Sequence, residues 1–109
     1  MGSVVQTVKP AGRLDVTTAA KFRKDVNDLT AQDLKYLIVD LNDVGFMDSS
    51  GLGALVSALK TVKASNAEMV VCGLSEQVQM LFELTSMGKI FKIYRNAQEF
   101  LDKENLSNA

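Results

Sequence analysis

Residues 36–62 read YLIVDLNDVGFMDSSGLGALVSALKTV, and the change of pattern inside this stretch decides the fold. YLIVDL (36–41) is a nearly continuous apolar, β-branched run, the pattern of a strand covered on both faces. After Ser50 the apolar residues become Leu52, Leu55, Val56, Leu59 and Val62, spaced by three and four, which predicts a helix over about 50–64. A buried strand followed closely by a helix is the repeating step of an α/β domain.

Working outward, the same alternation recurs. VVQTV (4–8) predicts a short strand, broken by Pro10 and Gly12. Phe22, Val26 and Leu29 lie on one face of a helix running to about residue 30, with Thr17 or Thr18 as its N-cap. EMVVC (68–72) predicts a strand stopped by Gly73. Val78, Leu81, Phe82 and Leu84 predict a third helix ending around Gly88. IFKIY (90–94) predicts a last short strand, and Phe100 and Leu101 anchor a last helix. The expected fold is a single α/β domain over residues 1–109, with a mixed, largely parallel sheet and four helices packed against it. Residues 1–3 are allowed as an expression remnant, and 103–109 are expected to fray.

Composition narrows the function. Twelve Lys and Arg oppose thirteen Asp and Glu, mixed along the chain, so no basic stripe offers itself to a nucleic acid. No apolar stretch approaches the ~20 residues of a membrane span, and MGSVVQ carries no basic region leading into an apolar one. The expectation is a cytoplasmic protein without a membrane or nucleic-acid partner. The single cysteine, Cys72, sits in an apolar run and reads as a small buried hydrophobe. The chain contains no histidine. Ser-His-Asp and Cys-His hydrolases therefore lack their usual base, and zinc sites that need imidazole are excluded. No enzymatic activity, metal or cofactor is expected.

The chemistry-bearing stretch is FMDSSGLG (46–53). It lies where a helix begins, so unpaired N–H groups and the positive end of the helix dipole face outward. Asp48, Ser49 and Ser50 are each competent N-caps, and the residue types do not choose among them. Gly51 and Gly53 each cost about 1 kcal/mol relative to alanine within a helix. Lacking a Cβ, they either admit a ligand or partner backbone, or relieve crowding against a neighbouring element. A phosphate-binding P-loop needs Lys and then Ser or Thr after its second glycine, where this chain has Ala54 and Leu55. A nucleophile elbow needs G-x-S-x-G, but Met47 and Asp48 stand two residues before the two serines. The remaining reading is a serine that accepts a phosphate, adding roughly −1.5 to −2 charges at neutral pH where a helix start favours anions.

FMDSSGLGALVSALK resembles the motif of the STAS family, specifically the small bacterial anti-sigma-factor antagonists. GRLDVTTAAKF (12–22) is similar to that family's G-x-L-D and following helix, and EMVVCGLSEQVQMLFELTSMGKIF (68–91) to its third-strand and third-helix region. The resemblance runs from Gly12 to about Leu101. It implies that Ser49, the first serine after the aspartate, is the phosphoacceptor; residue chemistry alone does not choose between Ser49 and Ser50. It also implies that the turn formed by Gly12, Leu14 and Asp15 lies beside the serine and contacts a partner kinase together with Asp48, Ser50, Gly51 and Gly53. Asp15 has an equally simple reading as a cap or turn residue before the helix of residues 17–30. Family members commonly carry an extra strand before the one leading into G-x-L-D; the eleven residues before Gly12 hold room for one strand and little else.

The resemblance implies partner switching. The unphosphorylated protein binds a serine kinase that is also an anti-sigma factor, releasing the sigma factor. Phosphorylation weakens that complex, and a serine phosphatase restores it. ATP and Mg²⁺ belong to the kinase. Two rivals stand beside this. One is a STAS scaffold or regulatory module whose partner is unrelated to sigma factors. The other is a receiver-like domain phosphorylated on Asp40, but receivers need an acidic pair after the first strand to hold Mg²⁺, and Lys9 and Pro10 stand there.

Overall fold

The computed structural model describes residues 5–106; Val4, the leading residues 1–3 and the tail residues 107–109 lie outside them. The elements are β1 (Val5–Val8), β2 (Gly12–Leu14), α1 (Ala19–Thr30), β3 (Tyr36–Asp40), β4 (Val44–Met47), α2 (Ser49–Ala64), β5 (Glu68–Cys72), α3 (Glu76–Thr85), a 3₁₀ turn (Met87–Lys89), β6 (Lys92–Tyr94) and α4 (Ala97–Lys103). The main sheet has the order β1-β3-β5-β6, and β2 and β4 form a separate two-stranded ribbon. Every strand pair among the described residues is parallel. Parallel neighbours cannot be joined by a tight hairpin and need crossovers, which α1, α2 and α3 provide.

The unbroken apolar runs of β3 and β5 follow from a sheet covered on both faces. Successive strand residues point to opposite sides. Leu37, Val39, Met69 and Val71 therefore join Phe22, Val26, Leu55, Val62 and Phe82 in the larger core, beneath α1, α2 and α3. Ile38, Val70 and Cys72 face the other way and meet Val5, Phe100 and Leu101 in a smaller core under α4. There the Phe100 ring lies edge-on to both Tyr36 and Tyr94, with centroids 5.3 Å apart in each pair. Lys103 closes α4, and the Leu106 N–H bonds to the Leu101 carbonyl at 2.8 Å. No helix of the described residues is long and apolar enough to cross a membrane.

The expected α/β alternation is present, with specific differences. The sequence patterns gave no strand at β4, and Gly12, read as a breaker, opens β2. Helix α3 stops at Thr85, because Ser86 adopts a left-handed conformation (φ 58°) that ends it before Gly88. The last strand starts at Lys92, because Ile90 belongs to the turn that follows the 3₁₀ segment. Leu84 is 79% exposed and takes no part in the core. Neither Thr17 nor Thr18 caps α1 through its side chain. Thr18 occupies the cap position, but its hydroxyl donates to the Arg13 carbonyl at 2.8 Å. Among the described residues a single strand, β1, precedes β2, and it pairs in parallel with β3.

Candidate functional site

The ribbon β2–β4 brings the two sequence motifs together. Leu14 is in register with Met47, so the G-x-L-D turn lies against the strand that leads into D-S-S-G. Gly12 makes this possible with a positive φ of 80°, a conformation costly for residues with a Cβ; its N–H bonds to the Asp43 carbonyl at 2.9 Å.

At the end of β4 the backbone of Asp48 is extended, and its Oδ1 accepts the N–H groups of Ser50 at 3.0 Å and Gly51 at 3.1 Å. Of the three competent caps, Asp48 is therefore the one used. Its carbonyl accepts from Leu52, closing the first turn of α2. Ser49 is the first helical residue and is exposed, whereas Ser50 is half-buried. Of the two serines, Ser49 is the more exposed residue.

The two glycines do different things. Gly51 is buried, and a Cβ built on it would lie 1.9 Å from the Leu14 carbonyl oxygen and 2.9 Å from Met47 Cγ. It is there because the backbone of β2 presses on the start of α2. Gly53 is exposed, and a Cβ there would meet nothing within 4 Å. Crowding accounts for Gly51 and not for Gly53.

Asp15 is 8% exposed and serves the turn. Its Oδ1 accepts both the N–H and the hydroxyl of Thr17, and its Oδ2 accepts Arg13 Nε at 3.1 Å. Its carbonyl caps the approach to α1 by accepting from Thr18 and Ala19. The Thr17 hydroxyl first, and then Arg13, hold its carboxyl below the ordinary value of 3.8. The groups that this turn offers outward are instead Val16, 74% exposed, and Arg13, whose guanidinium lies 4.3 Å from the centroid of the Phe46 ring. Sequence reasoning did not single out Arg13, Val16 or Phe46; an exposed valine directly after the motif aspartate was the available signal.

Gln77, in the first turn of α3, was also missed. Its Oε1 accepts the Met47 N–H and its Nε2 donates to the Met47 carbonyl, both at 2.8 Å. Asp40 Oδ1 accepts the Asn42 N–H at 2.9 Å, the use expected of a strand-end carboxylate. Burial first, and then the nearby Asp40 charge, push the Cys72 thiol up to about 12.

The model of the STAS domain matches residues 3–100. The anti-sigma-B factor antagonist of Listeria monocytogenes is 36% identical over 83 residues, 76% of this chain and 73% of that protein. The anti-sigma-B factor antagonist of Staphylococcus aureus is 30% identical over 86 residues, 79% of this chain and 80% of that protein. Among solved structures, the anti-sigma factor antagonist SpoIIAA in its unphosphorylated form superposes with a TM-score of 0.78 at 17% identity, covering 99% of this chain and 96% of that one. That likeness concerns the fold. With the D-S-S-G helix start, the abutting G-x-L-D turn and these relatives together, the chain belongs to the STAS domain family, alongside its anti-sigma-factor antagonists.

Proposed function

We propose that this protein is an anti-sigma-factor antagonist working in a phosphorylation-controlled partner switch. The observation that carries the reading is the exposure of Ser49, the first residue of α2, beside a cap that already occupies the nearest helix amides. The antagonist role is supported by the relatives in Listeria and Staphylococcus, which bear that name. Unphosphorylated, the chain binds an anti-sigma factor that is also a serine kinase, in the cytoplasm, and the sigma factor is released. In the kinase site Ser49 Oγ gives up its proton to a base of the kinase and bonds to the γ-phosphorus of ATP. The bond from that phosphorus to the ADP oxygen breaks. A serine phosphatase uses water to return the hydroxyl and release inorganic phosphate. The chain itself supplies an acceptor and a surface, with no catalytic group.

Within that surface the motif residues divide by exposure. Gly12 and Gly53 are open and admit a partner; Leu14, Asp15 and Gly51 are buried and act through the shape they hold. Asp48 and Ser50 flank the acceptor. A phosphate on Ser49 adds its charge next to the Asp48 carboxylate, and like charges brought together at an interface cost several kcal/mol.

Capture of partners from the native cytoplasm, followed by incubation of the captured kinase with ATP, tests the reading. One phosphate is expected, on Ser49, and none on Ser49→Ala. Phosphate mapped to Ser50 or to a threonine would sink the assignment. Capture of a partner that is neither kinase nor anti-sigma factor would favour the scaffold reading instead.

A further inference from the structure

Among the described residues strand β4 has a neighbour on one edge only. The Asp48 N–H points to the Leu14 carbonyl of β2, at 3.5 Å. The N–H and carbonyl of Met47, one residue earlier, point to the opposite edge, where the sheet supplies no strand. Main-chain groups in such a place need partners. Both are taken by the side-chain amide of Gln77, thirty residues further along the chain, in two bonds of 2.8 Å. The amide stands in for the missing third strand.

Its base is firm. Gln77 is the second residue of α3, whose start is capped by Ser75 Oγ accepting from Val78, and Val78 and Phe82 are buried in the larger core. Met47 is pinned through its side chain as well, which has no exposed surface. Only Asp48 separates this fixed point from Ser49. The acceptor is thus held from the α2 side by the Asp48 cap and from the β4 side by Gln77.

We propose that Gln77 is a positioning residue for phosphorylation of Ser49: its two hydrogen bonds to Met47 fix the backbone from which the acceptor projects. The proposal rests on Ser49 being the acceptor. Phosphoryl transfer depends chiefly on the placement of the attacking oxygen, and small misplacements of a reacting group cost rate steeply. Gln77 reaches Met47 and not the serine, so it acts on turnover rather than on the partner-binding face.

The test compares wild type with Gln77→Met, similar in length but unable to make either bond, and Gln77→Glu. A glutamate carboxylate can still accept the Met47 N–H but cannot donate to its carbonyl; the protonated acid can do both. Amide exchange followed by NMR should show Met47 in Gln77→Met losing protection while Val70 and Val71 in β5 keep theirs. With the captured kinase, kcat for Gln77→Met should fall about tenfold with KM within about twofold. For Gln77→Glu, kcat relative to wild type at the same pH should rise as pH falls toward the carboxyl range near about 4.3, a rescue that a generally weakened fold does not produce. Wild type phosphorylated on Ser49, with Gln77→Met turning over equally fast and Gln77→Glu flat with pH, overturns the proposal alone. A wild-type chain that takes no phosphate on Ser49 overturns the acceptor reading as well.

Discussion

Replacing Gly51 by alanine adds one methyl group at the tightest point of the molecule. The new Cβ would lie 1.9 Å from the Leu14 carbonyl oxygen, 2.7 Å from the Leu14 carbonyl carbon and 2.9 Å from Met47 Cγ. Two of the three nearest atoms are backbone, so no side-chain rotation relieves the clash. The start of α2 and strand β2 must separate by more than ~1 Å to reach ordinary contact, whereas even one surplus methylene in a packed core costs about 1–3 kcal/mol. That separation also breaks the 3.5 Å contact from the Asp48 N–H to Leu14 and disturbs the cap beside it. A clash at the top of that range, with about 1 kcal/mol for the disturbed cap and about 1 kcal/mol of helix propensity recovered by alanine, gives a net loss of about 3 kcal/mol, near the upper range for single substitutions. For a domain of this size each kcal/mol moves the melting temperature by about 4–8 °C, giving a drop of about 12–24 °C. Thermal melting followed by circular dichroism, with urea titration for the free energy, measures it. Gly53→Ala is the internal control: the site is open and φ is not positive, so stability should hold or rise by about 0.4–1 kcal/mol. If Gly51→Ala melts within a few degrees of wild type, the close approach of β2 to α2 is wrong and the account of the two motifs as one site loses its basis.

Three further outcomes follow from the same geometry. Asp48→Ala removes the acceptor of two helix N–H groups and should cost about 1 kcal/mol by urea titration; no change would mean that another group caps α2. Asp15 has a lowered folded pKa, set first by Thr17 and then by Arg13, so its stabilisation is full above its unfolded value and is lost as pH falls through the lower folded one. The stability gap between wild type and Asp15→Asn should therefore be constant near neutrality and close below about pH 3.9, whereas a gap that closes near pH 6 would refute the assignment. The Cys72 thiol, pushed up to about 12 and buried, should react with a thiol reagent at pH 8 only as fast as the protein opens, and at once in denaturant.

Long periodic segments were legible because the sheet and helices repeat their burial over many residues. Strand β3 presents four apolar positions in a row and helix α2 more than five along one face, and two-sided burial leaves a run that no loop would carry. The ribbon was not legible for the opposite reason. Strand β2 has three residues and begins with glycine, and β4 has four with Gly45 among them, too few to show a period. Their pairing depends on each other and on α2 rather than on propensity. The motif made the helix start visible, but the division of labour between Gly51 and Gly53 depends on where Leu14 lies, a contact remote in sequence. Gln77 is harder still. Nothing local distinguishes it from Gln79, and only the third dimension sets one against Met47 and leaves the other exposed.

The parallel pairing of every described strand has a consequence for how the chain is made. Val5 pairs with Tyr36, Tyr36 in turn with Glu68, and Val70 with Lys92, so the main-sheet contacts wait on closure of loops of about twenty to thirty residues, the kind of contact that slows folding. The ribbon is no quicker, since Leu14 must wait for Met47. On a ribosome adding ~5–20 residues per second, β1 therefore emerges without a strand to bind until β3 follows it. Helix α1 can form from local contacts in that interval. Ser49 is then translated before Gln77, and the clamp on Met47 closes only once α3 has left the tunnel.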